Sequence, residues 1–597
     1  MLTNLCEPSP EEAPLKPSIR LFLAVAVLAA VLGPATADPA GTARESGYVE
    51  LPDGVTLAYT AVYPNDGLPH PTLMEYSGYN PGSVPDQPYI DRYVSKGYAF
   101  IGVNIRGTGC SGGTFDFFEP QQGLDGAFVI DNFIPTRPWS NGDVAMIGKS
   151  YPGITQLFVA QERPAHLKAI APGHFYGDIY RDVAYPGGIF NYSFAGLWSF
   201  ISQPTEGRLS AIQAIAGGDT TCAANLAQHE VTNLRYNPFI QAQEHPFIDD
   251  LIRERSPIVR AKDIDVPIFT AIAWQDEQVG PREVLFLEQL DVPYWAILSN
   301  GDHGMYRTET SLTLLDAYLD HFLRGVDNGF GNNPHVMVWW ESKTDTRAPT
   351  WVTGLSSWPA AASAKRLYLG AGGALTDQAP PAGGMPDPYV YPAGSQGIAN
   401  ARYGYASLPD AYLWPVKPLP GTAVSYTSAA FTEDTVLLGS ASLDLWLAST
   451  APDTDLEVTL TEVRPDGEEM YVQKGWLRAS HRAEDMALST TLRPVQTHLL
   501  DDFEPLVPGS PTPMRVEIFP FGHVVRAGSK VRVWIAAPTL LPELWGFAFL
   551  PVPAVNLVYH DATHPSSLVL PVAGGIAIGS AGFPECGTVI RQPCRPA

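Results

Sequence analysis

Between Gly47 and about Gly325, short runs of apolar residues alternate with stretches whose apolar positions recur at helical spacing. Residues 72–76, 99–103, 144–147, 266–273 and 292–298 are mostly apolar and of strand length, the pattern of strands buried on both faces. Residues 124–133, 154–162 and 312–322 read as helices. This alternation predicts a mainly parallel sheet with helices on both sides. The rhythm breaks over 174–263, which begins aromatic (Phe175, Tyr176, Tyr180, Tyr185, Phe190, Tyr192, Phe194, Trp198) and then turns helical. An insertion capping the carboxyl edge of the sheet is expected there. Beyond about Asp345 the period shortens to two: residues 442–447 and 530–535 alternate and are bounded by turn residues, which predicts an antiparallel β-sandwich or jelly roll. The Gly- and Pro-rich stretch 371–400 reads as a long loop or linker.

The chain has 597 residues, more than one core accommodates. The periodicities divide it into an α/β part over 46–345, an all-β part over 355–576 and a tail over 577–597. Residues 1–37 form a separate unit. Lys16 and Arg20 precede the apolar run 21–32, and Ala35-Thr36-Ala37 follows it. A basic flank, a short apolar core and an A-x-A site predict a secretory signal peptide cleaved after Ala37. The run is short for a membrane-spanning helix, so a secreted or periplasmic protein is expected, with no membrane association after cleavage. The net charge of −25 excludes the basic surface that nucleic-acid binding requires.

Of five cysteines, Cys6 leaves with the signal peptide, and an exported chain permits disulfides among the rest. Cys586 and Cys594 bracket part of the tail and are expected to form a local staple, while pairing of Cys110 with Cys222 is left open. No C-x-x-C or H-E-x-x-H occurs, so neither a metal nor another cofactor is expected.

Candidate chemistry centres on Ala145-Met146-Ile147-Gly148-Lys149-Ser150-Tyr151-Pro152-Gly153. A serine between glycines, after an apolar strand and before a helix, suits a nucleophile elbow, although the usual G-x-S-x-G spacing would put glycine at +2 rather than +3. A serine hydroxyl needs a base, and the base an orienting acid, which in open α/β sheets follow in chain order at the ends of later strands. The strand ending at Ala273 runs into Trp274-Gln275-Asp276-Glu277, and the next into Ser299-Asn300-Gly301-Asp302-His303. Asp276 is therefore the candidate acid and His303 the candidate base. Glu277 is a less favoured acid, Asp302 reads as a turn residue, and His174 comes too soon after Ser150 to fit the expected order. Oxyanion donors are expected from the Tyr151 N–H and from Tyr79, in the loop after an early strand.

Gly148-Lys149-Ser150-Tyr151-Pro152-Gly153 resembles the G-x-S-Y-x-G elbow of the cocaine esterase/X-prolyl dipeptidyl aminopeptidase (CocE/NonD) hydrolases, a family whose second glycine stands at +3. The resemblance extends through residues 104–111, 121–139, 274–276, His303 and 320–325, and through 451–455, 464–467 and 564–568 in the β-rich half. It implies an α/β-hydrolase core, a helical cap and a C-terminal jelly roll. It also implies Ser150 as nucleophile, Asp276 as acid, His303 as base and Tyr79 as the oxyanion tyrosine. Two departures stand out. Asn104 occupies a position where the family commonly has aspartate. Gln278 and Val279 replace the carboxylates that hold a substrate ammonium in the α-amino-acid ester hydrolase branch, leaving Glu277 or Asp178 to serve if an amine is bound.

The expected function is acyl transfer to water from a small ester, amide or short peptide. A carboxylesterase is favoured over an X-Pro dipeptidyl peptidase, and a catalytically silent jelly-roll binding protein is the reading from another class. Oligomeric state is not specified.

Overall fold

The computed structural model describes residues 38–80, 82, 85–192, 211–232, 237–391, 417–538 and 545–597. The signal-peptide segment, Phe194 and Trp198 lie outside the described residues.

A ten-stranded sheet is built from β1 (Thr42–Glu50), β2 (Thr56–Pro64), β3 (His70–Ser77), β4 (Ala99–Asn104), β5 (Ser140–Lys149), β6 (Leu167–Gly173), β7 (Ile268–Ala273), β8 (Tyr294–Ser299), β9 (Val336–Trp340) and β10 (Trp351–Leu355), in the order β1-β2-β4-β3-β5-β6-β7-β8-β9-β10. Pairing from β4 to β9 is parallel; β1, β2 and β10 are antiparallel edges. Every residue of β4, β7 and β8 is buried, which explains their unbroken apolar runs. Successive side chains of β5 enter opposite cores: Val144 and Met146 one, Ala145 and Ile147 the other.

The described helices include α1 (Gln87–Tyr93), α2 (Pro120–Phe128), α3 (Tyr151–Gln161), α4 (Thr220–Thr232), α5 (Pro238–Glu244), α6 (Asp250–Glu254) and α7 (Glu309–Arg324). α2 starts four residues before the apolar pattern suggests, because Pro120 fits a first helical turn that has no use for its missing N–H. α3 is buried along its whole length, lodged between the sheet and the segments above it. Of the described residues between β6 and β7, Phe175, Tyr176, Tyr180, Tyr185 and Phe190 are all buried, and Tyr176, Ile179, Leu251 and Ile252 line one pocket with Ser150. The Cys110–Cys222 disulfide pins α4 to the loop after β4.

Residues from Ser363 onward form a second, twelve-stranded and almost wholly antiparallel sheet. Its longest pair joins Thr435–Ser449 to Thr512–Val525. The stretch expected to be a loop contains two of its strands, Ala374–Thr376 and Asp387–Tyr391. Gly372 and Gly373, with φ of 72° and 74°, close the hairpin that returns the chain from Gly370 to Ala374. The two sheets meet directly behind the ends of β7 and β8. The Gln473 side-chain amide donates to the Trp274 carbonyl (2.7 Å) and that of Gln275 to the Val472 carbonyl (3.1 Å), while buried Arg282 bridges Asp182 (3.0 Å) and Glu517.

Candidate active site

β5 ends at Lys149 and α3 begins at Tyr151, so Ser150 alone makes the turn from strand to helix. Its φ of 64° and ψ of −129° lie in a region that side-chain-bearing residues avoid. The turn is fixed by the Ser150 N–H donating to the Gly173 carbonyl (2.8 Å), and by the Gly153 and Ile154 N–H groups donating to the Ser150 carbonyl (2.8 and 2.9 Å). Both flanking glycines are required sterically. A Cβ on Gly148, whose φ is 145°, would lie 2.7 Å from Pro152 Cβ, and one on Gly153 would lie 2.5 Å from the Gly173 carbonyl oxygen. The +3 glycine is therefore where α3 passes closest to β6, and Pro152 at +2 sits harmlessly in the first helical turn.

Half-buried Ser150 opens into a pocket of about 820 Å³, mouth included. Tyr79 and Tyr151 flank it there, their rings meeting edge-on with centroids 5.6 Å apart. Phe118 stacks on Tyr151 and meets Tyr176 edge-on, giving the pocket an aromatic wall. Asn104, buried at the end of β4, donates from its side-chain amide to the Tyr79 carbonyl (3.2 Å). An aspartate, with no N–H, could not make that bond.

Asp276 and His303, one beyond the end of β7 and the other beyond β8, are in direct contact. His303 Nδ1 lies 2.8 Å from Asp276 Oδ2 and 3.1 Å from Oδ1. Oδ1 also accepts the main-chain N–H groups of Gln278 (2.7 Å) and Val279 (3.1 Å), so the two positions that depart from the ester-hydrolase branch contribute backbone donors. Burial favours the neutral form of Asp276, but His303 and His174 outweigh it and hold the carboxyl well below its usual range. Burial also dominates at His303, keeping it below its ordinary 6.5 despite the opposing pull of Asp276. His303 Nε2 has no hydrogen-bond partner among the described residues, so no bond to Ser150 is formed in this state. The two segments are nevertheless joined, because Lys149 Nζ donates to the His303 carbonyl at 2.9 Å. The structure thus brings Asp276 to His303 and the His303 segment to the elbow, and it puts Tyr79, Ser150 and Tyr151 on one pocket.

His174, set aside in the sequence as too early, belongs to this cluster. It follows β6 directly, and its Nδ1 stands 2.8 Å from Asp276 Oδ2, although out of line for a hydrogen bond. Its Nε2 accepts the Tyr306 N–H (3.2 Å), which leaves the ring proton on Nδ1, towards the carboxylate. Glu283, with Oε1 3.7 Å from the same nitrogen, is pushed up to about 8 by burial, against the pull of His174. The donor atoms of His174, Asp276 and His303 lie within 4.8 Å of one another, close enough for a cation. A protonated Nδ1 facing the acid makes His174 a donor instead of a ligand.

The remaining candidates are committed elsewhere. Glu277 accepts the His303 main-chain N–H (3.1 Å) and faces Arg591 at 3.5 Å. Asp178 pairs with Arg181 at 2.5 Å and accepts the N–H groups of Tyr180 and Arg181. Neither lines the pocket. Asp302 caps its own turn through the Gly304 N–H (2.9 Å) and pairs with Arg347. Cys586 and Cys594 are bonded, closing the loop that carries Arg591.

Residues 53–305 match the model of the X-Pro dipeptidyl-peptidase S15 family, and residues 328–569 that of the X-Pro dipeptidyl-peptidase C-terminal non-catalytic domain. The chain is a serine hydrolase, similar in both parts to the X-Pro dipeptidyl-peptidase S15 family. Among its relatives, a chain of Mycobacterium bovis provisionally named a serine esterase is 26% identical over 555 residues, 81% of this chain and 84% of that one. The cocaine esterase of a Rhodococcus species is 24% identical over 599 residues, 88% of this chain and 97% of that one. A CocE/NonD family hydrolase of Staphylococcus aureus superposes with a TM-score of 0.70 at 21% identity, covering 91% of this chain and all of that one. These similarities carry the α/β-hydrolase core and the all-β C-terminal part, and they retire the reading as a silent binding protein.

Sequence reasoning set His174 aside and missed Glu283, Arg255 and Arg591. His174 carried a usable signal, since it follows the end of a core strand just as Ser150, Asp276 and His303 do. The other three reach the site only through tertiary packing.

Proposed function

We propose that this serine hydrolase is an exported carboxylesterase-type acyl hydrolase working through Ser150, His303 and Asp276. His303 Nε2 takes the Ser150 proton as Oγ attacks the substrate carbonyl, and the developing oxyanion meets the Tyr151 N–H and the Tyr79 hydroxyl. Collapse of the tetrahedral adduct breaks the bond to the leaving group, which receives the proton from His303. Water then attacks the acyl-enzyme with His303 as base, releasing the acid and restoring Ser150. Asp276, fixed by two backbone N–H groups, keeps the imidazole proton on Nδ1 throughout.

The observation that carries the ester reading is the pocket beside Ser150. Its wall is aromatic and aliphatic, the one ionised side chain lining it is the cation Arg255, and no carboxylate lines it among the described residues. A dipeptidyl peptidase must hold a free ammonium group, which such a wall repels. Export is supported by the N-terminal pattern and by the two disulfides.

A fluorophosphonate probe should label the wild-type protein and not Ser150→Ala, and 4-nitrophenyl butyrate should be turned over faster than Ala-Pro-4-nitroanilide. Equal labelling of both proteins would remove Ser150 from the mechanism. Cleavage of the anilide alone would replace the esterase by the peptidase.

A further inference from the structure

Arg255 follows α6 directly, a short helix capped by Asp249, whose Oδ1 accepts the Ile252 N–H at 3.0 Å. Leu251 and Ile252 of α6 line the pocket beside Ser150, and so does Arg255, whose side chain is only 6% exposed. Its Nη2 donates to Asp116 Oδ2 at 2.9 Å and lies 3.4 Å from exposed Glu254. The other nitrogens, Nε and Nη1, are buried and find no acceptor among the described residues. Three N–H donors of a cation therefore stand unanswered in the wall of an otherwise apolar pocket.

Both carboxylates in reach, Asp116 and Glu254, face Nη2 and leave Nε and Nη1 unanswered. Asp116 is already shared with the Phe117 N–H (2.8 Å) and the Gln241 side-chain amide (3.1 Å). Glu119 is pushed up to about 7 by burial and by the charge of Asp116, so near neutrality it carries only part of a charge. Buried donors without partners are costly to maintain, and in a substrate pocket they favour a ligand that supplies the acceptor. A carboxylate fits best, since it offers several lone pairs in the plane of a guanidinium and completes its charge-assisted bonds.

We propose that Arg255 is a specificity-determining residue that receives a carboxylate at the far end of the acyl group, so that the substrates are half-esters of dicarboxylic acids. This rests on the acyl-hydrolase reading of Ser150 and deepens it.

The test compares kcat/KM for monoethyl esters of straight-chain dicarboxylic acids with the ethyl esters of the matching monocarboxylic and ω-hydroxy acids. The wild type should favour the carboxylated series by roughly tenfold or more at its best chain length. In Arg255→Met combined with Asp116→Asn, which removes both members of the buried pair, that ratio should fall to about one, while Arg255→Lys retains part of it. The ratio is internal to each protein, so a general loss of activity does not move it. A wild type that favours the neutral series, or a preference that survives in the double variant, overturns the proposal. Fluorophosphonate labelling of Ser150 is read separately: without it the acyl-enzyme reading falls and takes this proposal with it, whereas labelling without carboxylate preference overturns the proposal alone.

Discussion

Ser150 is held by its own neighbours: the strand before it, the helix after it, two glycines and one contact with the end of β6 account for its position. Asp276 and His303 are held from far along the chain. Asp276 is approached by His174, which in turn faces Glu283; His303 is steadied by Glu277, which faces Arg591 of the C-terminal tail, and by Lys149. The proposed nucleophile is thus specified locally and the proposed acid–base pair by tertiary structure. Perturbations remote in sequence should fall on proton transfer and spare the reactivity of the serine turn.

The largest effect expected on the acid–base side is that of Asp276→Asn. An asparagine there presents an N–H to His303 or leaves Nδ1 without its anionic acceptor, so the tautomer with a free Nε2 lone pair is lost. We expect kcat to fall on the order of 10⁴-fold in steady-state ester hydrolysis, with little change in melting temperature. A loss of under tenfold would mean that another carboxylate orients the base.

The tail gives the next effect. The Cys586–Cys594 disulfide closes the loop bearing Arg591, and Asn300, close before His303, donates its side-chain amide to the Ile590 carbonyl at 3.1 Å. Replacing both cysteines by serine should loosen the His303 loop without touching the elbow. The expected result is a fall in kcat of about 10-fold to 100-fold with KM nearly constant. A change in KM alone would place the tail's influence on the pocket instead.

The same contrast governs what could be read from the chain. The strand–serine–helix succession and the shift of period near Asp345 are local patterns, and the sheet and the elbow are legible from them. The +3 glycine looked irregular in the sequence because its cause, the Gly173 carbonyl, comes from the next strand. Arg255 was invisible for a related reason: one arginine in a helical stretch is ordinary until packing turns it into the pocket wall. The hairpin at Gly372-Gly373 was misread because turn residues crowd a stretch whose strands are only three and five residues long.

His174 supplies the smallest effect and the sharpest test of the comparison, since it touches neither Ser150 nor the pocket. Its Nδ1–H faces the oxygen of Asp276 that also receives His303, so the two imidazoles compete for one acceptor. His303 is held below 6.5 by burial first, with the electrostatic influence of His174 acting in the same direction. Removing that influence in His174→Phe, which has no N–H to offer, leaves Asp276 Oδ2 to His303, which stabilises the imidazolium and raises the pKa of His303. The proposed mechanism needs neutral His303 for kcat/KM, so the acidic limb of the pH–rate profile should move to higher pH. Activity should drop at pH values on that limb and change by less than about tenfold on the plateau. A purely structural role for His174 would lower the plateau and leave the limb in place, and a limb moving to lower pH would contradict the shared-acceptor account outright.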